Sequence, residues 1–321
     1  MPDAWVARAR LALERRSWKE ARAHAEKALS LDPDVVDGHF VHGLALWKLG
    51  ELDGAAKELE AARSGGPNSK LEVALAAVRF EQGDIAAATT LLSGVLRTEP
   101  GNPEANFWMA RVHDRQAEWS LGLESIRAAL DRAPTRAAYH HELGQILRGS
   151  GKLPEAIEAW RQAVKLDPGY ADAWEAMGQA YLENGRYKDA IAAFEEALKA
   201  DPGRARVLGS IGDAHFHAGK WTQSVASYQA ALKSDPSLTG LYYRLGRAHS
   251  EMGQYDKAIA FYQKALSVSP DNAQAWYHLG YALKERGKKR EAANAFKSYL
   301  AKTPDPKDKK DIEDEIYYLS K

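Results

Sequence analysis

The 321-residue chain contains no cysteine. Disulfides, thiolate metal sites and cysteine nucleophiles are therefore excluded. Net charge is absent too, since 44 Lys and Arg balance 44 Asp and Glu. A nucleic acid partner needs a basic surface, so nucleic acid is not the expected ligand. No run approaches the ~18 consecutive apolar residues of a membrane span, so direct membrane insertion is not expected. The opening stretch, MPDAWVARAR, lacks the apolar core of an export signal. The expectation is a cytoplasmic protein, or a periplasmic one whose signal has been removed. Phosphate-loop, dinucleotide, nucleophile-elbow and HExxH motifs are all missing, which leaves no catalytic, cofactor or metal site to name. The ten histidines offer no third ligand at metal spacing. No enzyme activity, cofactor or small-molecule substrate is expected.

What the chain does have is a ruler of prolines. Pro33, Pro67, Pro100, Pro134, Pro168, Pro202, Pro236, Pro270 and Pro304 are separated by 34 residues, once by 33. A fixed period of this size is the signature of a repeat architecture. It divides residues 2–306 into nine units: 2–35, 36–68, 69–102, 103–136, 137–170, 171–204, 205–238, 239–272 and 273–306. The length alone would suggest about two domains.

Aligned, the units constrain particular slots. Slot eight is always Gly or Ala, as in Gly43, Ala76, Gly144 and Gly178. Slot 20 is small, and slot 27 is Ala except for Val95 and Tyr299. Slot 24 is large in eight units, from Leu59 and Leu92 to Trp160, Phe194 and Tyr228. Small residues at fixed offsets let two helices approach, and the large ones fill the space between them. Slot 15 is Gly in seven units, where a positive φ ends a helix. The ruler proline stops the next. Each unit reads as helix, Gly turn, helix, Pro turn. In 171–204 the helices are expected over 171–183 and 188–200. Apolar positions in both follow the helical period. No segment alternates with period two, so no strands are expected.

The pattern Trp174, Met177, Gly178, Tyr181, Gly185, Tyr187, Ala190, Phe194, Ala197, Pro202 strongly resembles the tetratricopeptide repeat. The resemblance covers nearly the whole chain. It departs locally, at Arg8 and Arg16 in the first unit, Ala117 in the fourth, and Lys289 and Tyr299 in the ninth. It implies an all-α, right-handed superhelical solenoid of helix-turn-helix repeats. Residues 307–321 carry Ile312, Ile316 and Leu319 in one stripe behind an acid-rich start, and read as a C-terminal capping helix. The chain starts almost on a unit boundary, which suggests an excised fragment of a longer protein.

The resemblance also implies a protein or peptide partner in a concave groove lined by the first helices. At or beside the groove slots stand Phe40, Leu44, Trp47, Phe80, Phe107, Trp108 and Arg111 in the early units. Later units place His141, Gln145, Arg148, Glu175, Gln179, Arg206, Phe216, Tyr243, Arg247, Tyr277 and Tyr281 there. Slot twelve, with Trp47, Phe80 and Phe216, divides evenly between packing and ligand contact. No unit carries the Lys–Asn pair of the chaperone-type carboxylate clamp, so chaperone tails are not expected. The run Lys284–Arg290 is the one basic cluster and reads as a solvated turn.

The reading is an interaction scaffold in a larger bacterial complex, in pilus assembly, motility and polarity, secretion or the envelope. Docking of a small Ras-like GTPase is one variant. Two alternatives stay open. One is an accessory array of a larger enzyme, such as a glycosyltransferase or a polysaccharide-export protein. The other is a self-assembling array that forms homo-oligomers through its uncapped first unit.

Overall fold

A computed structural model describes residues 1–66, 68–303 and 305–321. The ruler prolines Pro67 and Pro304 lie outside the described residues. Nineteen α-helices follow one another, and no strand occurs among the described residues. The chain is an all-α solenoid of tandem helical hairpins, divided by its contacts into two compact units, Met1–Leu166 and Asp167–Lys321.

The first unit holds α1 (Pro2–Glu14), α2 (Trp18–Leu31), α3 (Val36–Lys48), α4 (Leu52–Ala62), α5 (Ser69–Glu81), α6 (Ile85–Thr98), α7 (Pro103–Arg115), α8 (Trp119–Arg132), α9 (Ala137–Gly149) and α10 (Leu153–Leu166). A short 3₁₀ turn, Arg63–Gly65, follows α4. The second unit holds α11 (Ala171–Glu183), α12 (Tyr187–Ala200), α13 (Ala205–His217), α14 (Trp221–Ser234), α15 (Leu241–Glu251), α16 (Tyr255–Val268), α17 (Ala273–Glu285), α18 (Lys289–Lys302) and α19 (Lys309–Leu319). The helices expected over 171–183 and 188–200 are α11 and α12, the latter starting one residue early at Tyr187.

Within a hairpin the approach is set by one small residue against one large one. A methyl group added to Gly178 would stand 2.5 Å from the Phe194 ring, and one on Gly280 2.6 Å from Phe296. Gly144 faces Trp160, Gly212 faces Tyr228 and Gly246 faces Tyr262 in the same way. The partner rings are fully buried. Where slot eight is Ala, at Ala76 and Ala110, slot 24 holds Leu92 and Ile126 instead. Each of these rings thus packs against a glycine, although glycine also faces a leucine, at Gly43 and Leu59.

The turn between paired helices has one backbone shape throughout. Gly50, Gly83, Gly151, Gly185, Gly219, Gly253 and Gly287 have φ between 69° and 87°. The two units lacking the glycine keep the shape, with Arg16 and Ala117 both at φ 57°.

The slot of Trp174 also has a structural task. Its indole N–H donates to the Pro168 carbonyl at 3.0 Å, and Trp276 does the same to Pro270 at 2.8 Å. A ring nitrogen of His39 and of His140 bonds to the Pro33 and Pro134 carbonyls, and the Asn106 amide donates to Pro100. Each closes a carbonyl just beyond the preceding helix, where no helical donor is in reach.

At the end of the second unit, α19 buries Ile312 completely and Leu319 almost so, in one cluster with Phe296 and Tyr299. The Tyr299 hydroxyl donates to Asp308 at 2.9 Å. Lys284 of α17 pairs with Glu315 of α19 at 2.6 Å. Tyr299, anomalous in a slot of alanines, fills the room beside this single helix.

Candidate functional site

Consecutive first helices pack on one another, α1 on α3, α3 on α5, α5 on α7 and α7 on α9 in the first unit. In the second unit α11 meets α13 and α15 meets α17. No pair of consecutive second helices packs comparably among the described residues. In the first unit the first helices thus form a continuous layer along one face of the stack. All eighteen residues read as groove-lining stand on these helices.

In the first unit, Phe40, Leu44, Trp47 and Trp108 come together with Val73 and Ala74 around an open cleft of about 420 Å³. Lys70 and Glu104 stand at its edge. Trp47 is fixed by an indole N–H bond to Glu81 at 2.8 Å, and the Lys48 ammonium sits 3.8 Å from its ring centre. Trp108 is only 7% exposed and forms the floor, where it meets Trp47 at 5.8 Å and Phe80 at 5.7 Å. Phe80, at 6%, packs edge-on against Trp108 and is not among the residues around this cleft. Phe107 stacks on Tyr139 at 4.8 Å.

Arg111 spans this aromatic floor. Its guanidinium lies 4.5 Å from the Trp108 ring centre, 4.9 Å from Phe80 and 5.9 Å from Phe107. Cation–π contacts of this kind hold the side chain flat against the rings. The carboxylate nearest to it is Glu142 of α9, at 3.8 Å. Glu142 is buried, and that burial pushes its carboxyl up to about 7, with Asp114 adding to the rise and Arg111 opposing it. His141, Gln145 and Arg148, also on α9, are half-buried and line neither this cleft nor the one described below.

In the second unit a smaller cleft of about 250 Å³ gathers Phe216, Tyr243 and Arg247 with Asp213 and Arg244. Glu175 is tied to Arg204 at 2.7 Å, and Asp172 and Asp201 bind the same guanidinium. That carboxylate is a structural partner within the stack. Gln179 donates to Glu183 at 3.0 Å along α11. Arg206 is exposed. Tyr277 and Tyr281 are built into a ring network with Tyr299 and Phe296, at 4.9 to 5.1 Å.

Sequence reasoning missed Glu142 and Arg244. Both occupy slot six, which is Ala in 2–35, 69–102 and 171–204 and Val in 36–68. A charge in that slot is the signal that would have found them. Among the described residues, no group of three or more His, Asp or Glu side chains is placed to hold a metal ion, and no helix is long and apolar enough to cross a membrane.

Models described as tetratricopeptide repeat match residues 6–70, 79–146, 141–205, 175–239, 227–260 and 274–306, and a TPR repeat model matches 247–287. Among solved structures, MamA is 29% identical over 50% of this chain and 94% of its own, with a TM-score of 0.48. YrrB, a TPR protein with an unusual peptide-binding site, is 19% identical over 60% of this chain and 99% of its own, at 0.52. The human IFIT1 dimer with m7Gppp-AAAA is 16% identical over 95% of this chain and 73% of its own, at 0.68. At these identities YrrB and IFIT1 share the fold.

Proposed function

The chain belongs to the tetratricopeptide-repeat family, and from that premise we propose that it is a protein-interaction scaffold whose first-helix face receives a polypeptide segment of a partner. The observation that carries this reading is the first-unit cleft. Phe40, Leu44, Trp47, Val73 and Trp108 come from three successive first helices, α3, α5 and α7, and leave an open apolar slot between charged edges. Apolar anchors with a polar rim are the composition of recognition sites. An apolar side chain of the partner enters the slot, and Lys70 and Glu104 orient the flanking chain. The rigid packing behind Trp108 keeps the slot open, so little ordering is needed on binding. Partners are sought first in bacterial assemblies of the pilus, motility, secretion and envelope kinds, small Ras-like GTPases among them.

The test is affinity capture from lysate of the encoding organism, with wild-type protein and with Leu44→Asp. A carboxylate placed in the slot should release the captured protein while the far-UV circular dichroism stays unchanged. Retention of the same protein by Leu44→Asp would refute the site.

A further inference from the structure

The charges of the second-unit cleft do not balance. Both Asp213 oxygens are already engaged: the Tyr228 hydroxyl donates to one at 2.7 Å, and Arg244 pairs with the other. Arg247 opens into the same cleft, its guanidinium 4.8 Å from the Phe216 ring centre. Among the described residues no carboxylate lies within ion-pair distance of it. Glu251, one turn further along α15, is exposed and stays outside that distance. The cleft thus holds two guanidinium groups and one carboxylate.

A half-buried cation whose contacts are neutral, here the Phe216 ring and the Tyr243 hydroxyl, has lost hydration and gained no counter-charge. An entering anion recovers that loss. The planar guanidinium suits a carboxylate, which it grips through two parallel N–H bonds. Phe216 beneath it fixes the plane of the fork. Burial, together with the charge of Arg247, holds the His278 imidazole down to about 4. The imidazole is therefore neutral at physiological pH and adds no positive charge.

We propose that this cleft receives an acidic side chain, Asp or Glu, of a partner polypeptide, with Arg247 as the bidentate anchor and Leu182, Phe216 and Tyr243 taking the apolar neighbours of that residue. The assignment rests on the scaffold reading for the class of partner, but it sits on different helices from the first-unit cleft.

Three peptides test it: acetyl-Ala-Leu-Glu-Leu-Ala-amide, the same peptide with Gln for Glu, and the Gln peptide with a free C-terminal carboxylate. The readout is the Arg247 Nε–H resonance during titration. The Glu peptide should shift it saturably, and both Gln peptides should bind at least about tenfold more weakly, as expected for loss of a charge-assisted pair. Affinity should fall with added salt. With Arg247→Gln, backbone resonances around Phe216 should no longer distinguish Glu from Gln, while Arg247→Lys should retain part of the preference. Equal affinity for the first two peptides, or no saturable shift up to the solubility limit, overturns the proposal. Preference for the free terminus overturns its assignment to a side chain. Leu44→Asp lies in the other unit and should leave this titration unchanged, so failure here and failure of the scaffold reading are distinguishable.

Discussion

Position 117 carries an alanine at φ 57°, in a turn that seven other hairpins build with glycine. A side chain in that region costs about 1–2 kcal/mol, and glycine relieves most of it. Ala117→Gly and Arg16→Gly should therefore each raise stability by about 1 kcal/mol, read as a higher urea midpoint. Gly185→Ala should lower it. The facing pair Gly178 and Phe194 gives a second prediction. Gly178→Ala drives a methyl into the ring and should cost about 1–3 kcal/mol. Adding Phe194→Leu, which recreates the Ala76–Leu92 pairing, should recover part of that loss. A double-mutant cycle measures the coupling, and additive effects would sink the pairing argument. Glu142 sets a pH dependence. Its carboxyl stays protonated to about 7 in the folded chain, whereas an unfolded glutamate ionises near ~4.3. The folded state holds the extra proton between those values. Stability should fall as pH rises through that window and level off above it. Glu142→Gln should remove this slope and be more stable than wild type at pH 8, as checked by denaturation across pH.

At the scale of the helix, the period made most of the architecture legible. Helix pairs, their glycine turns and the small-against-large slots all follow from residue identity at fixed offsets, and α12 differs from its expected start by one residue. Side-chain reach was not legible in the same way. A slot number gives the face of a helix, but Trp108 is long enough to reach the neighbouring first helices and become a floor, with Phe80 packed against it. Arg111 likewise lies along that floor, which no one-dimensional spacing encodes. Slot averaging also hid Glu142 and Arg244, because a charge in one unit disappears behind the uncharged residues of others, such as Ala74, Ala176 and Ser210. The role of Tyr299 depended on α19, an element outside the repeat. Removing the contact of that element through Ile312→Ala should cost about 2–4 kcal/mol.

At the scale of the molecule, the main helix packing among the described residues is between near neighbours in sequence, within each unit. Stability in such a stack is a sum of local terms. The effect of Ile312→Ala should therefore be confined. Hydrogen exchange should quicken in α17, α18 and α19 and stay unchanged in α3 to α8. Uniform acceleration across the chain would contradict this locality. Locality also has a direction in time. Trp276 closes the Pro270 carbonyl from six residues further along, so the end of α16 is finished only by a residue the ribosome adds afterwards. The same holds for His39, His140 and Trp174, each reaching back over the same interval. Within each unit, a nascent chain would complete its hairpins one behind the exit tunnel, in the order of translation. Each newly made segment would supply the last hydrogen bond of the one before it.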